Sequence, residues 1–173
     1  MGIIDDLQRE MADERGFVPG ELFETIISNE IDVKIKLNEG VECPVYAHEG
    51  DSGFDILANR TVKFSKFQTK LVSTGIYLEI PEGYECQVRP RSGVSLKTPF
   101  RIANAPGTID SNYRGEVGVI VQNVSNKQLV IKKGTKIAQG VIVPVMKAKF
   151  SIVEDLEDSN RGADGFGSTD KGE

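Results

Sequence analysis

Hydrophobic and polar positions change their period along this chain. At the start, Ile3, Leu7 and Met11 fall at i, i+4 and i+8 among acidic residues, the spacing of one helical face. Gly16, Pro19 and Gly20 interrupt it. Leu22, Phe23, Ile26 and Ile27 then predict a second short helix, with Pro19 and Gly20 near its start. From Ile31 the period becomes two: Ile31, Val33, Ile35 and Leu37 alternate with Asp32, Lys34 and Lys36, the pattern of a half-buried strand. Further strand-like runs cover 71–74, 76–80, 85–89, 117–123, 128–131 and 137–145, separated by turn signals such as Pro81-Glu82-Gly83 and Lys132-Lys133-Gly134. Many short strands with little helical pattern between them predict an all-β sandwich or barrel. After residue 152 the texture changes again, to glycine, serine, threonine and aspartate around one aromatic, Phe166, too little apolar surface for a core. The expected organisation is a helical extension over 1–28, a β core over 29–152 and a flexible C-terminal arm over 153–173.

Composition narrows the function. With 173 residues, 39% hydrophobic and 27% charged, the chain reads as one soluble globular domain. Its net charge of −5 does not suit a protein that coats nucleic acid, so a polyanion would need a locally basic pocket. Cys43 and Cys86 are isolated, outside any CxxC or Cys/His cluster, and read as small packing residues of a reducing compartment. The first residues hold no hydrophobic block and no run approaches the ~18 apolar residues of a membrane span. The expected location is cytoplasmic.

Five segments concentrate glycine, charge and hydroxyl groups. In Ala47–Ile56, glycines flank a turn that delivers Asp55 to a strand start. In Arg89–Ser95, a short helix is expected after Pro90 with Ser92 at its cap, an arrangement of N–H groups, hydroxyl and arginine that suits an anion. Asn104–Gly118 reads as a hairpin whose tip region presents Asp110 and Tyr113; such an acid can serve as a general base if a water lies within hydrogen-bond reach. Lys133–Gly140 places one polar residue, Gln139, in an apolar run. Arg161–Thr169 is a glycine-rich strip able to wrap a phosphate. Each segment alone is a weak signal that also reads as an ordinary turn or tail.

Taken in order, the five segments resemble the five motifs of the trimeric deoxyuridine triphosphatase family, over about residues 30–170. The most specific pieces are Pro90-Arg91-Ser92-Gly93, Gly107-Thr108-Ile109-Asp110 with Tyr113-Arg114-Gly115, and Gly165-Phe166-Gly167-Ser168-Thr169. The resemblance implies a jelly-roll-like homotrimer that hydrolyses dUTP to dUMP and pyrophosphate with Mg²⁺. The ion is expected to ride on the triphosphate and to reach Asp55 only through water. By the same resemblance Arg91, Ser92 and Gly93 bind phosphate. Asp110 orients and deprotonates the attacking water. Tyr113 packs under the deoxyribose. Asn104, Gly107, Thr108, Ile109 and Gly118 read the uracil edge. Gln139 lies near the phosphates, Arg161 reaches the γ-phosphate, Phe166 stacks on uracil, and Gly167, Ser168 and Thr169 line the outer phosphates. The arm becomes a lid, and each site draws on three chains.

Asp164 and Asp170 depart from the family pattern and add negative charge beside a tetra-anionic ligand. The extension 1–28 has no counterpart in the shortest members and is open to a protein partner. His48 matches no family site and is assigned to a surface turn. Two alternatives are a deoxycytidine triphosphate deaminase of the same fold and a nucleotide-gated regulatory binding protein. The first needs a glutamate at the base ring, whereas Asp110 and Tyr113 here follow the hydrolase pattern.

Overall fold

The structure, a computed structural model, describes residues 30–163. Both helices expected in 1–28, and Phe166, Gly167, Ser168 and Thr169, lie outside the described residues. Within them the order is β1 (Lys34–Leu37), β2 (Phe54–Leu57), β3 (Val62–Phe64), β4 (Thr69–Ser73), β5 (Ile76–Glu79), β6 (Tyr84–Arg89), α1 (Ser92–Lys97), β7 (Phe100–Ile102), β8 (Gly107–Ile109), β9 (Gly118–Asn123), β10 (Leu129–Ile131) and β11 (Lys136–Pro144). The chain is therefore all-β, as its alternation predicted. Every run read as strand-like holds a strand. β3, β7 and β8 lie outside those runs; each is three residues with at most one alternation, unlike the equally short β10, whose Leu129-Val130-Ile131 is apolar throughout.

The strands form four antiparallel sets: β1–β5, β10–β3, β2–β11–β6–β8 and β4–β9–β7. None closes on itself among the described residues, which corrects the barrel alternative: the sets are open sheets. They share one core, to which Ile56, Phe64, Val72, Leu78, Val88, Val119, Ile131 and Ile137 each contribute from a different strand. The alternation from Ile31 outlasts its ladder because the partner stops first. β5 pairs with β1 only from Lys34↔Glu79 to Leu37↔Ile76, and Pro81, which has no N–H, follows.

One buried polar residue ties the core together. Asn123 is fully buried, and its amide donates to the carbonyls of Ser65 (2.9 Å) and Lys127 (2.7 Å) while its oxygen accepts from Ser125 N (2.9 Å) and Oγ (2.8 Å). Such groups are tolerated inside only when satisfied.

Candidate functional site

β11 is the organising strand. At nine residues it pairs with β2 on one side and β6 on the other, which places Gln139 opposite Asp55 and Arg89 at once. Directly opposed residues of antiparallel strands project on the same face, so these three form one polar row. Alternation also keeps Asp55 out of the core, because its neighbours Phe54 and Ile56 take the buried positions.

Around that row the sequence assembles charge. Arg91 Nε lies 2.7 Å from Asp55 Oδ1, and Lys136 Nζ lies 2.6 Å from Oδ2. The Asp55 side chain is only 17% exposed, so both its oxygens are held by cations in a half-dry setting. Gln139 Nε2 donates to the Pro90 carbonyl at 2.9 Å, tying β11 to the entry of α1. Gly53 leaves room for that side chain: a Cβ on it would stand 2.9 Å from Gln139 Oε1, so a larger residue would push Gln139 aside. α1 begins at Ser92, with Arg91 in the cap position and no side-chain cap bond. The expectation of Ser92 as the cap is corrected by one residue, because the Arg91 backbone is still extended (φ −87°, ψ 131°) and its side chain turns to Asp55. Ser92 and Gly93 are exposed beside it.

The second group of expected residues lies elsewhere. β8 pairs with β6 through Val88↔Gly107, Gln87↔Thr108 and Cys86↔Ile109, so it runs away from Arg89. Asn104 folds back on this strand, its Nδ2 lying 3.1 Å from where a Gly107 Cβ would be. Asp110 follows β8 and is exposed, its carbonyl accepting from Tyr113 N at 3.0 Å. The segment is not the hydrogen-bonded hairpin expected. β8 joins β6 while β9 joins β4 and β7, so the chain crosses from one sheet to another between Ile109 and Gly118. Tyr113 lies back over Gly115, where a Cβ would meet its Oη at 2.3 Å, and its hydroxyl donates to the Glu116 carbonyl at 3.2 Å.

Strand spacing sets the separation of the two groups. From β2 to β8 is three strand spacings, and Asp110 lies four residues beyond the row of Arg89, so Asp55 and Asp110 of one chain stand roughly 20 Å apart. Of the predicted residues, one chain thus brings together Asp55, Arg91, Ser92, Gly93 and Gln139, and separately Asn104, Gly107, Thr108, Ile109, Asp110, Tyr113 and Gly118. Arg161 lies in the strap that follows β11, exposed over 146–163.

Two residues inside the motif segments had been given no role. Lys136 completes the cage around Asp55; its signal was a cation four residues before the end of the fourth segment. Glu116 follows the Tyr113 loop. Burial alone would raise its pKa, but hydrogen bonds from Ser73, Gly75 and Thr74 outweigh that and hold it below the ordinary carboxylate value. Among the described residues no group of three or more His, Cys, Asp and Glu is placed to hold a metal, and no helix is long and apolar enough to cross a membrane.

Known proteins resemble this chain in sequence and fold. The dUTPase family model matches residues 39–170. A deoxyuridine 5'-triphosphate nucleotidohydrolase of Picosynechococcus sp. is 48% identical over 135 residues, 78% of this chain and 95% of that protein. The dUTPase of Staphylococcus bacteriophage 80α, solved with dUpNHpp, superposes with a TM-score of 0.74 at 31% identity, over 79% of this chain and 97% of that one. A mutant dUTPase of phage phi11 of S. aureus, described as coordinating a structural Mg(II) ion, gives a TM-score of 0.68 at 28% identity over 74% of this chain and 100% of that one. With a polar row and an acid-bearing loop on an all-β frame, and a family match across most of its length, the chain belongs to the dUTPase family.

Proposed function

We propose that this protein hydrolyses dUTP to dUMP and pyrophosphate at sites shared between copies of itself, limiting uracil in DNA and supplying dUMP for thymidylate synthesis. The observation that carries the shared-site reading is the separation within one chain. A general base must come within hydrogen-bond reach of the water it activates. Asp110 cannot do so at phosphates held by Arg91 and Gln139 of its own chain. A second copy must bring its Asp110 loop to the first copy's polar row, and the homotrimer of jelly-roll-like subunits is the assembly we assign.

The strap supports that assembly. Met146, Phe150, Ile152 and Leu156 are 88% or more exposed, and Met146, Ala148, Phe150 and Ile152 alternate with polar residues like a strand lacking its sheet. Burying four such side chains favours association by roughly 1.5–3 kcal/mol each. This strap leads to the arm that brings Arg161, Phe166, Gly167, Ser168 and Thr169 over a third copy's substrate as a lid.

In the reaction, Arg91 and Lys136 supply positive charge, Gln139 and the Ser92–Gly93 backbone orient the phosphates, and Asp110 holds a water in line with the α-phosphorus and accepts its proton as the P–O bond forms. Pyrophosphate departs. The donor set fits Mg²⁺ carried by the triphosphate: a lone Asp55, already paired to two cations, offers an outer contact through water rather than a protein cage. When bound, the ion neutralises phosphate charge. Tyr113 packs against the deoxyribose, where a 2′-hydroxyl would collide. The main chain of 107–109 and 118, with Asn104, reads uracil, and a cytosine edge would leave polar groups mismatched. Two free cysteines fit a reducing, cytoplasmic setting.

Incubating the protein with Mg²⁺ and each of dUTP, dTTP, dCTP and UTP tests the reading, with Asp110→Asn alongside. Conversion of dUTP alone to dUMP, lost in the variant while dUTP still binds, is the expected result. Turnover of none by the assembled protein would refute it, and deamination of dCTP would move the chain to the sister activity.

A further inference from the structure

Glu116 is held more tightly than a surface turn requires. Its Oε1 accepts three hydrogen bonds, from Ser73 Oγ (2.5 Å), Thr74 N (2.9 Å) and Gly75 N (2.7 Å). The donors belong to the corner where the chain leaves β4 for β5, two strands of different sheets. Successive N–H groups pointing into one concavity form an anion-receiving nest. The corner is itself restricted to glycine at residue 75: φ is +74°, and a Cβ would meet Val41 Cγ2 at 2.6 Å. Two more bonds lock the next residue: Val117 N donates to the Ile76 carbonyl at 2.8 Å, and Thr74 Oγ1 donates to the Val117 carbonyl.

The loop N-terminal to this clasp is tied differently. Tyr113 N bonds to the Asp110 carbonyl, and Arg114 Nη1 donates to the carbonyls of Ser111 (2.6 Å) and Tyr113 (3.0 Å). These bonds shape the loop but do not fix it to the body. The Tyr113 hydroxyl reaches the Glu116 carbonyl, and the ring lies in the space that Gly115 leaves open. The position of the ring is thus inherited from residues 115–116, and that of 116 from the β4–β5 corner.

We infer that Glu116 is a positioning and specificity-determining residue, whose clasp on Ser73, Thr74 and Gly75 sets where the Asp110–Tyr113 loop stands and hence how sharply the enzyme rejects ribonucleotides. The inference rests on the proposed dUTP hydrolysis. A carboxylate is suited to the task because one oxygen serves three donors, with more strength per bond than a neutral acceptor gives. Its folded pKa is lowered, so its contribution to stability is present above the ordinary carboxylate value of 4.5 and is lost as pH falls through the lower folded value.

The test compares wild type, Glu116→Ala, Glu116→Gln and Ser73→Ala. The readouts are kcat and KM for dUTP and UTP, and amide hydrogen exchange over 110–117. Misplacing the loop by about 1 Å predicts roughly a hundredfold lower kcat/KM for dUTP in Glu116→Ala, a much smaller loss for UTP, and so about tenfold weaker discrimination. Glu116→Gln keeps an oxygen for the same donors and restores most of the ratio. Ser73→Ala, which removes one donor of three and serves if Glu116→Ala does not fold, falls between. Exchange over 110–117 rises in the same order. A Glu116→Ala protein that loses thermal stability but keeps wild-type discrimination and exchange would show the clasp to be structural only and overturn the inference. If wild type hydrolyses neither nucleotide, the enzyme reading fails by itself. Exchange still judges the clasp: an unchanged loop in Glu116→Ala overturns it, and an unprotected one retains the anchoring.

Discussion

Two glycines of the candidate site look equally crowded and should respond in opposite ways to alanine. A Cβ at Gly140 would stand 2.4 and 2.5 Å from the Cζ and Cε2 of Phe54, and one at Gly118 would stand 2.5 Å from Leu71 Cδ1. What differs is the freedom of the neighbour. Phe54 is buried, faces Gly140 across β2–β11, and has its ring against Tyr46 at 6.0 Å between centroids. Its ring can yield only by giving up its packing against Tyr46 and the core or by straining the β2–β11 pairing. Overpacking of that kind costs about 2 kcal/mol, which for a domain of this size lowers Tm by roughly 6 °C. Leu71 is 64% exposed and can rotate into water, so Gly118→Ala should cost at most about 0.5 kcal/mol. Calorimetry at one fixed protein concentration separates the two, since the proposed assembly would make Tm concentration-dependent. Function should reverse the order. Gly118→Ala, stable but with a methyl group at the proposed uracil edge, raises KM for dUTP, while Gly140→Ala at low temperature keeps more of its affinity. Adding Phe54→Leu to Gly140→Ala should recover part of the lost Tm, a coupling expected only of residues in contact. Equal Tm losses for the two alanine variants, or none for Gly140→Ala, would refute the argument that the neighbour's freedom decides the cost.

Arg91→Ala and Asp110→Asn, each inactive alone, should regain roughly a quarter of wild-type activity when refolded together one to one, because in the proposed trimer a site drawing its polar row from one chain and its acid from another is intact with a probability of about one half times one half, so about a quarter of all sites work; no recovery would confine each site to one chain. Asn123→Ala leaves the Ser65 and Lys127 carbonyls and the Ser125 donors without their partner and should cost about 1–3 kcal/mol, seen as a lower urea midpoint with an unchanged slope; a loss under about 0.5 kcal/mol would mean water replaces the amide. Cys43 is exposed and should react with a thiol reagent at pH 8, whereas Cys86, buried and pushed up to about 11 by desolvation, should react only after unfolding; two fast thiols in the native protein would contradict the packing.

Alternation carried the longer strands because one face of each is buried and a period of two survives over four or more residues. At three residues β3 and β7 show a single alternation and β8 none, whereas β10, equally short, stands out as an unbroken apolar run; β8 reads as part of a hairpin because turn residues announce a reversal but not which sheet receives the returning strand. Asp55, Arg91 and Gln139 were readable as motif residues, but their meeting depends on β11 register, a long-range pairing no local pattern encodes. Glu116 was visible as a residue and invisible as a clasp, since its partners are more than 40 positions away.

Net charge concealed a division within the chain. Residues 1–28 and 153–173 each hold seven acidic and two basic residues, which leaves 17 Lys and Arg against 12 Asp and Glu over 29–152. The acidic total of −5 therefore belongs to a basic core between two acidic flanks. A core of that sign attracts a tetra-anionic nucleotide through the screened solvent, and the Arg91 and Lys136 cations at Asp55 are its local expression. On the proposed reading the arm, acidic apart from Arg161 and Lys171, would be repelled by the same triphosphate except where Arg161 meets it. Closure over substrate would then depend on that arginine and on stacking by Phe166, while Asp164 and Asp170 oppose it. If the arm closes as proposed, the loss of pyrophosphate would remove the charge that draws Arg161 and leave the repulsion of Asp164 and Asp170 to favour reopening.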